Sequence, residues 1–173
     1  MQINVSQQLK EAIGSTRSHD VDEMVNIAEQ ERHIKGRVSL VRTDRGILAR
    51  GTLRTDIEVA CSRCLRPCPL TLTLTIEEEY YPTKDILTGA PLSLPDQSGC
   101  FAIDKHHIID LTEAIRQYAM LAIPMKPLCQ ENCTGLCPTC GHNLNLGPCD
   151  CPQQAIDPRW TGLHKLTVAD NNA

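Results

Sequence analysis

Aromatic side chains are nearly missing from this sequence, with one Trp, one Phe and three Tyr among 173 residues. That scarcity argues against a nucleic-acid binder built on rows of stacking rings. No stretch of about 18 consecutive apolar residues occurs, so no segment reads as a membrane-spanning helix. The start, Met1-Gln-Ile-Asn-Val-Ser-Gln-Gln-Leu-Lys10, has no basic stretch followed by an apolar one, which places the expected location in the cytoplasm, where thiols stay reduced. A Gly-rich phosphate loop is missing. His106 and His107 are adjacent and have no nucleophile at a recognisable spacing, so the chain reads as a non-enzyme.

Against these absences stands a surplus of cysteine: ten residues. A chain of this length buries roughly 70% of its unfolded surface and needs no covalent staples. Close-spaced thiols in a reducing setting point to metal instead. Eight of the ten fall in pairs, Cys61-x2-Cys64, Cys129-x3-Cys133, Cys137-x2-Cys140 and Cys149-x-Cys151. Zinc takes four thiolates in a closed tetrahedron, so eight ligands predict two structural zinc sites. One grouping puts Cys137, Cys140, Cys149 and Cys151 on one ion and Cys61, Cys64, Cys129 and Cys133 on the other. A second grouping joins Cys61 and Cys64 to Cys137 and Cys140. Pro138 and Gly141 suit a knuckle, the proline by its fixed φ and the glycine by its access to a left-handed turn. An iron–sulfur cluster also uses four thiolates, but the ferredoxin spacings are not present. Cys68 and Cys100 read as plain thiols.

The remaining pattern predicts an α+β chain: an antiparallel β-meander with a few short helices and a C-terminal cysteine-rich zinc module. The expected division is residues 1–123, a mainly antiparallel β domain with an N-terminal segment and one helix, and 124–173, the module with a short last helix. Val5, Leu9 and Ile13 suggest a short helix closed by Gly14. Strand-like alternation begins near residue 32, turns at Asp44-Arg45-Gly46, and resumes with Ile47, Leu53, Ile57 and Val59 on one face. Leu70, Leu72, Leu74 and Ile76 alternate with threonines in the clearest strand. Residues 82–100 read as a surface loop and Phe101–Ile109 as one more strand. Asp110 then opens a helix with Glu113 as capping-box partner and Leu111, Ala114, Ile115, Tyr118, Leu121 and Ala122 on its buried face. Asp157-Pro158 opens the last helix.

The formal charge is −4, yet residues 32–66 hold nine Lys/Arg against three Asp/Glu. Arg50 and Arg54 share the wet face of one strand and Arg63 lies inside a knuckle, so these three are the candidate RNA phosphate contacts. The opposing reading is that the arginines neutralise the negative charge of the thiolate sites. The run Glu77-Glu78-Glu79 reads as a solvated strand end.

Several stretches carry a family likeness. Gln8-Leu-Lys-Glu-Ala-Ile-Gly-Ser-Thr-Arg17, Arg45-Gly-Ile-Leu-Ala-Arg-Gly-Thr-Leu53, Cys61-Ser-Arg-Cys-Leu65, Pro124-Met-Lys-Pro-Leu-Cys129, Cys133-Thr-Gly-Leu-Cys-Pro-Thr-Cys-Gly141 with Asn143-Leu-Asn145, Cys149-Asp-Cys151 and Asp157-Pro-Arg-Trp160 occur in one order along most of the chain. Together they resemble the YceD-like family, the large ribosomal RNA subunit accumulation proteins. The resemblance implies a cytoplasmic, non-enzymatic ribosome-biogenesis factor for accumulation of large-subunit (23S) ribosomal RNA. The partner is then ribosomal RNA or a ribosomal precursor particle. Two other roles fit the same residues: an adaptor docking a ribosomal protein, and a thiol redox or zinc-sensing switch.

Overall fold

The computed structural model of the chain describes residues 1–93 and 99–152, together with Arg159. The last helix expected at Asp157-Pro158, with Trp160, lies outside the described residues.

Four long strands form the meander: β2 (Thr16–Ile27), β3 (Gln30–Arg42), β4 (Ile47–Ala60) and β5 (Pro67–Pro82). Each pairs antiparallel with the next. Ala28 and Glu29, at φ +49° and +65°, make the tight turn between β2 and β3, a backbone whose twist matches the flanking strands. The expected turn at Asp44-Arg45-Gly46 joins β3 to β4, closed by a Thr43 N–H bond of 3.0 Å to the Gly46 carbonyl. Period-2 alternation sets the faces. Ile34, Val38 and Leu40 of β3, Ile47, Leu53 and Ile57 of β4, and Leu72, Leu74 and Ile76 of β5 are buried on the inner face. The outer face is wet and held by cross-strand pairs in register, Asp20 with Arg37 and Arg50 with Glu77.

Four expectations need correction. The N-terminal helix does not form. Gln2–Asn4 is a short strand, β1, followed by a single 3-10 turn at Gln8–Lys10. Ile13 is exposed, and Gly14, at φ +91°, donates to the Arg42 carbonyl rather than closing a helix. The long strand β2 was hidden because it is an edge strand; it buries only Val21, Val25 and Ile27, and its other positions are polar apart from the exposed Met24.

Phe101–Ile109 is two strands, β6 (Phe101–Ile103) and β7 (Ile108–Asp110). Asp104 divides them by accepting the His106 and Ile108 N–H groups, each at 2.8 Å, and His107 sits at φ +61°. The meander is therefore mixed: β6 lies parallel to β5, while β7 pairs antiparallel with β1 in a second, two-stranded sheet.

The helix, α1 (Thr112–Ala122), forms where expected, but without a capping box. The Asp110 carboxylate takes the Thr112 N–H at 2.9 Å, whereas Glu113 turns to Arg116 and Gln117. The Arg116 guanidinium, hydrogen-bonded to Glu113, lowers that carboxyl to about 2. Ala114, Ile115 and Ala119 face the core, but Leu121 is 83% exposed. Finally, the acidic run is not idle: Glu77 pairs with Arg50, Glu78 accepts from Tyr118, and Glu79 accepts from Thr43.

The helix α1 packs against both β5 and β2, strands separated by two others in the sheet order. A flat sheet could not present both to one helix, so the sheet curls around it. Among the described residues, no helix is long and apolar enough to cross a membrane.

Candidate metal centres

The connection from β4 to β5 carries Cys61-Ser-Arg-Cys64, and the chain beyond α1 returns to meet it. The Cys61 and Cys133 sulfurs are 3.8 Å apart and those of Cys64 and Cys129 are 3.5 Å apart. All four ligand atoms lie within 4.8 Å of one another, and so do those of Cys137, Cys140, Cys149 and Cys151. These two groups are the first of the two groupings open from spacing; the swap of Cys61 and Cys64 toward Cys137 and Cys140 does not occur.

The two knuckles share one hydrogen-bond pattern. In the first, the Leu65 N–H bonds the Cys61 carbonyl at 3.0 Å and the Cys61 N–H bonds the Arg66 carbonyl at 2.9 Å. In the second, Gly141 bonds Cys137 at 2.9 Å and Cys137 bonds His142 at 2.8 Å. Gly141 takes φ +72°, as its position in the motif demands, and Leu65 is forced to φ +59° at the equivalent place. A left-handed conformation costs an L-residue about 1–2 kcal/mol that glycine escapes, less the entropy glycine loses on folding. Leu65 is 66% exposed and gains little packing in return. Leu65→Gly is therefore expected to stabilise the metal-bound chain by up to about 1 kcal/mol, roughly 2–4 °C in a calorimetric midpoint. A lower midpoint would assign Leu65 a packing role.

The knuckle backbone is also the electrostatic device. The Cys64 N–H aimed at the Cys61 sulfur lowers that thiol to about 6, against the penalty of its burial. The Cys140 and Thr139 N–H groups do the same for Cys137, also to about 6. Three other thiols, Cys129, Cys149 and Cys151, are pushed the other way. Burial, then the neighbouring sulfurs of Cys64, Cys133 and Cys61, raise Cys129 to about 12. The Cys140 sulfur, then burial, raise Cys151 to about 12. Four thiolates this close repel, and a divalent cation at their centre removes that penalty. The all-sulfur donor set fits a thiophilic metal ion.

Two residues around the first centre carry roles that spacing could not assign. Asn145 donates to the Cys133 sulfur at 3.3 Å, while its carbonyl oxygen accepts the Thr134 N–H at 2.9 Å and the Gln130 amide at 3.0 Å. Its presence in the Asn143-Leu-Asn145 stretch was the one available signal. Arg63 donates to the Cys133 carbonyl at 2.7 Å and thereby ties the knuckle to the returning chain.

The other two arginines differ. Arg50 is neutralised by Glu77 at 2.7 Å, whereas Arg54 has no hydrogen bond or ion pair among the described residues. Cys68 is buried beside the first centre but is no member of it; its thiol donates to the Val59 carbonyl at 3.3 Å, and burial followed by the Cys61 and Cys64 charges raises its pKa.

A curled, largely antiparallel sheet around one helix, extended by two four-cysteine groups that could each hold a metal ion, defines a β-rich protein with cysteine knuckles. The chain belongs to the family described as large ribosomal RNA subunit accumulation protein YceD, whose model matches residues 49–167. An uncharacterized protein of Mycobacterium tuberculosis is 34% identical over 122 residues, covering 70% of this chain and 56% of that protein. A Zea mays protein named large ribosomal RNA subunit accumulation protein YCED homolog 1, chloroplastic, is 34% identical over 131 residues, covering 61% of this chain and 44% of its own. The Arabidopsis thaliana protein of the same name is 26% identical over 150 residues, covering 75% and 47%. The chain thus spans about half the length of the curated relatives it matches. No solved structure matches it.

Proposed function

We propose that this protein is a non-enzymatic, zinc-stabilised factor in ribosome biogenesis that supports accumulation of large-subunit (23S) ribosomal RNA by binding RNA or a ribosomal precursor particle. Family membership is the observation that carries the process, since relatives bear the name of large-subunit RNA accumulation. The two four-cysteine groups support the architecture. Cys61, Cys64, Cys129 and Cys133 would hold one zinc ion, and Cys137, Cys140, Cys149 and Cys151 the other. Bound zinc supplies a redox-inert, tetrahedral cross-link. Four protein ligands leave no position for water or substrate, which suits a scaffold better than a catalyst. The first centre joins the sheet to a segment more than 60 residues away in sequence, as the Cys64–Cys129 separation of 65 residues makes plain.

The test is genetic. Cells lacking the protein should accumulate less large-subunit than small-subunit RNA, and the intact gene should restore the balance. The Cys64→Ser gene should restore it poorly, because its product loses the link between sheet and knuckle segment. An unchanged ratio in the deletion strain would overturn the proposal.

A further inference from the structure

The ladder between β3 and β4 stops early. Their pairing ends at Ile34 opposite Thr55, although β2 follows β3 to Gln30 and β5 follows β4 to Ala60. Past that point the two hairpins part, and a cleft of about 640 Å³ opens between them. Its volume is within the roughly 300–1,000 Å³ that small-ligand sites occupy, enough for nucleotide-sized groups. The main-chain edges of Gln30–His33 and Asp56–Ala60 that face the gap make no strand pairing there among the described residues.

Cations from both walls converge on this cleft. Arg32 and Lys35 come from β3 and Arg54 from β4. Their neutralisation is incomplete. Among the described residues Arg54 is unpaired, the Arg32 guanidinium meets only the side-chain amide oxygen of Gln30, and Lys35 shares Asp22 with His33 at 3.6 Å. Two acidic residues, Glu31 and Asp56, also line the cleft, so its three cations outnumber its carboxylates by one; Asp56 accepts the Thr71 hydroxyl at 2.6 Å.

A separate observation concerns the wall itself. Thr55 lines the cleft with 3% exposure, and its hydroxyl has no hydrogen-bond partner among the described residues. A buried hydroxyl without a partner is costly, and valine of the same shape would avoid that cost.

We infer that the fork between β3 and β4 is the RNA contact site, with Arg32, Lys35 and Arg54 binding backbone phosphates and the Thr55 hydroxyl completing the wall. This rests on the RNA-binding reading given above. Arginine suits the task because its planar donors match phosphate oxygens, and unpaired strand-edge N–H groups add neutral donors to the same oxygens. A basic protein tail fits less well, since three cations face the gap. The first metal centre braces the wall, because β4 runs from Asp56 directly into Cys61.

The test is a titration of a short fluorescein-labelled single-stranded RNA into the full, metal-loaded chain at several salt concentrations. Arg32→Ala with Arg54→Ala should weaken binding by roughly tenfold per arginine, the loss of one charge-assisted hydrogen bond each. The dependence on salt should become shallower by about 0.7 in log–log slope per lost phosphate contact. Thr55→Val should raise thermal stability yet reduce affinity, a combination that a purely structural threonine would not give. The control, Arg66→Ala with Lys126→Ala, changes cations outside the cleft and should bind within about twofold of the unsubstituted chain.

Equal binding by the cleft variants overturns the site while leaving RNA binding intact. If the unsubstituted chain has no affinity for RNA at low salt, the functional reading falls first and the cleft with it. Nuclease-resistant capture of a protein that depends on Arg54 would assign the cleft to a protein partner and overturn it as an RNA site.

Discussion

Purified Cys140→Ser protein is expected to carry one zinc ion where the unsubstituted chain carries two, and to be cut by protease within residues 134–151 while its sheet survives. The argument starts from burial. In the segment 129–152 only Cys133, Gly135 and Cys137 are buried, and its one strand-like contact is a bridge from Leu136 to Asn143. Nothing apolar there can offset the cost of fixing the backbone, about 1–2 kcal/mol per residue. A structural zinc ion contributes about 10–16 kcal/mol in small modules at neutral pH, so an ion held by these thiolates would supply the folding energy of this segment. Removing one thiolate from the second centre releases residues 134–151 but leaves Cys133 and the first centre in place.

Cys64→Ser should have a different signature. It also leaves one ion, but it frees the knuckle segment from the sheet, so protease should reach Lys126 as well. The sheet should survive both changes because its core runs from Ile3 to Ala119 and includes none of the candidate ligands. Cys68→Ser is the control. Its thiol serves as a donor to Val59, a role a hydroxyl can fill, so both ions should remain. Elemental analysis with limited proteolysis reads all three variants. Two ions retained by Cys140→Ser, or an unchanged cleavage pattern, would reject the two-centre arrangement.

The cysteine pairs were legible because a knuckle is local. Two residues between cysteines and a left-handed residue after the second define its geometry, and that pattern is visible in Cys137-Pro-Thr-Cys140-Gly141 without any tertiary context. Which knuckle meets which distant pair is a matter of long-range topology, and spacing left two groupings open. The pairing within the basic patch was illegible for the same reason. Arg50 opposes Glu77 only through a register 27 residues long, so its neutralisation is invisible in sequence, as is the lack of a partner for Arg54 among the described residues. Arg63 sits in a knuckle and does there what its position allows, bonding a carbonyl 70 residues away.

For the fold, the inner strands were readable and the edges were not. Strands β4 and β5 each carry a long apolar inner face, and their alternation is clean. The edge strand β2 has one neighbour, spends most positions on solvent, and resembles a polar leader. The break at Asp104 depends on one carboxylate taking two N–H groups, a side-chain event that apolar periodicity cannot register. The curl of the sheet was likewise unreadable from the pattern of apolar positions, but it leaves a trace in two glycines.

Gly36 and Gly51 stand on adjacent strands, opposite Leu53 and Val38, and both belong to the inner, concave face. A Cβ at Gly51 would sit 2.4 Å from the Arg37 carbonyl oxygen and 2.8 Å from the Val38 Cα. At Gly36 it would sit 2.2 Å from the Thr52 carbonyl oxygen, on a backbone at φ +155°. These neighbours are backbone atoms of the central strands and cannot rotate away. In a flat sheet alanine fits such positions; here the strands approach because the sheet bends over α1, and glycine kinks are how tight coiling is accommodated. Gly51→Ala should therefore cost about 3 kcal/mol, the upper end of overpacking penalties, or roughly 6–12 °C in midpoint for a chain of this size. Gly36→Ala should cost at least as much, since a clash and an unfavourable φ act together. Gly89, also at positive φ but with nothing within 4 Å of its would-be Cβ, is the comparison: Gly89→Ala should lose only about 1 kcal/mol. Zinc content should stay at the unsubstituted value in all three, because the strain lies in the sheet and not in the centres. Equal midpoints for Gly51→Ala and Gly89→Ala would mean that the sheet relaxes freely, and the tight curl that brings β2 and β5 to the same helix would have to be abandoned.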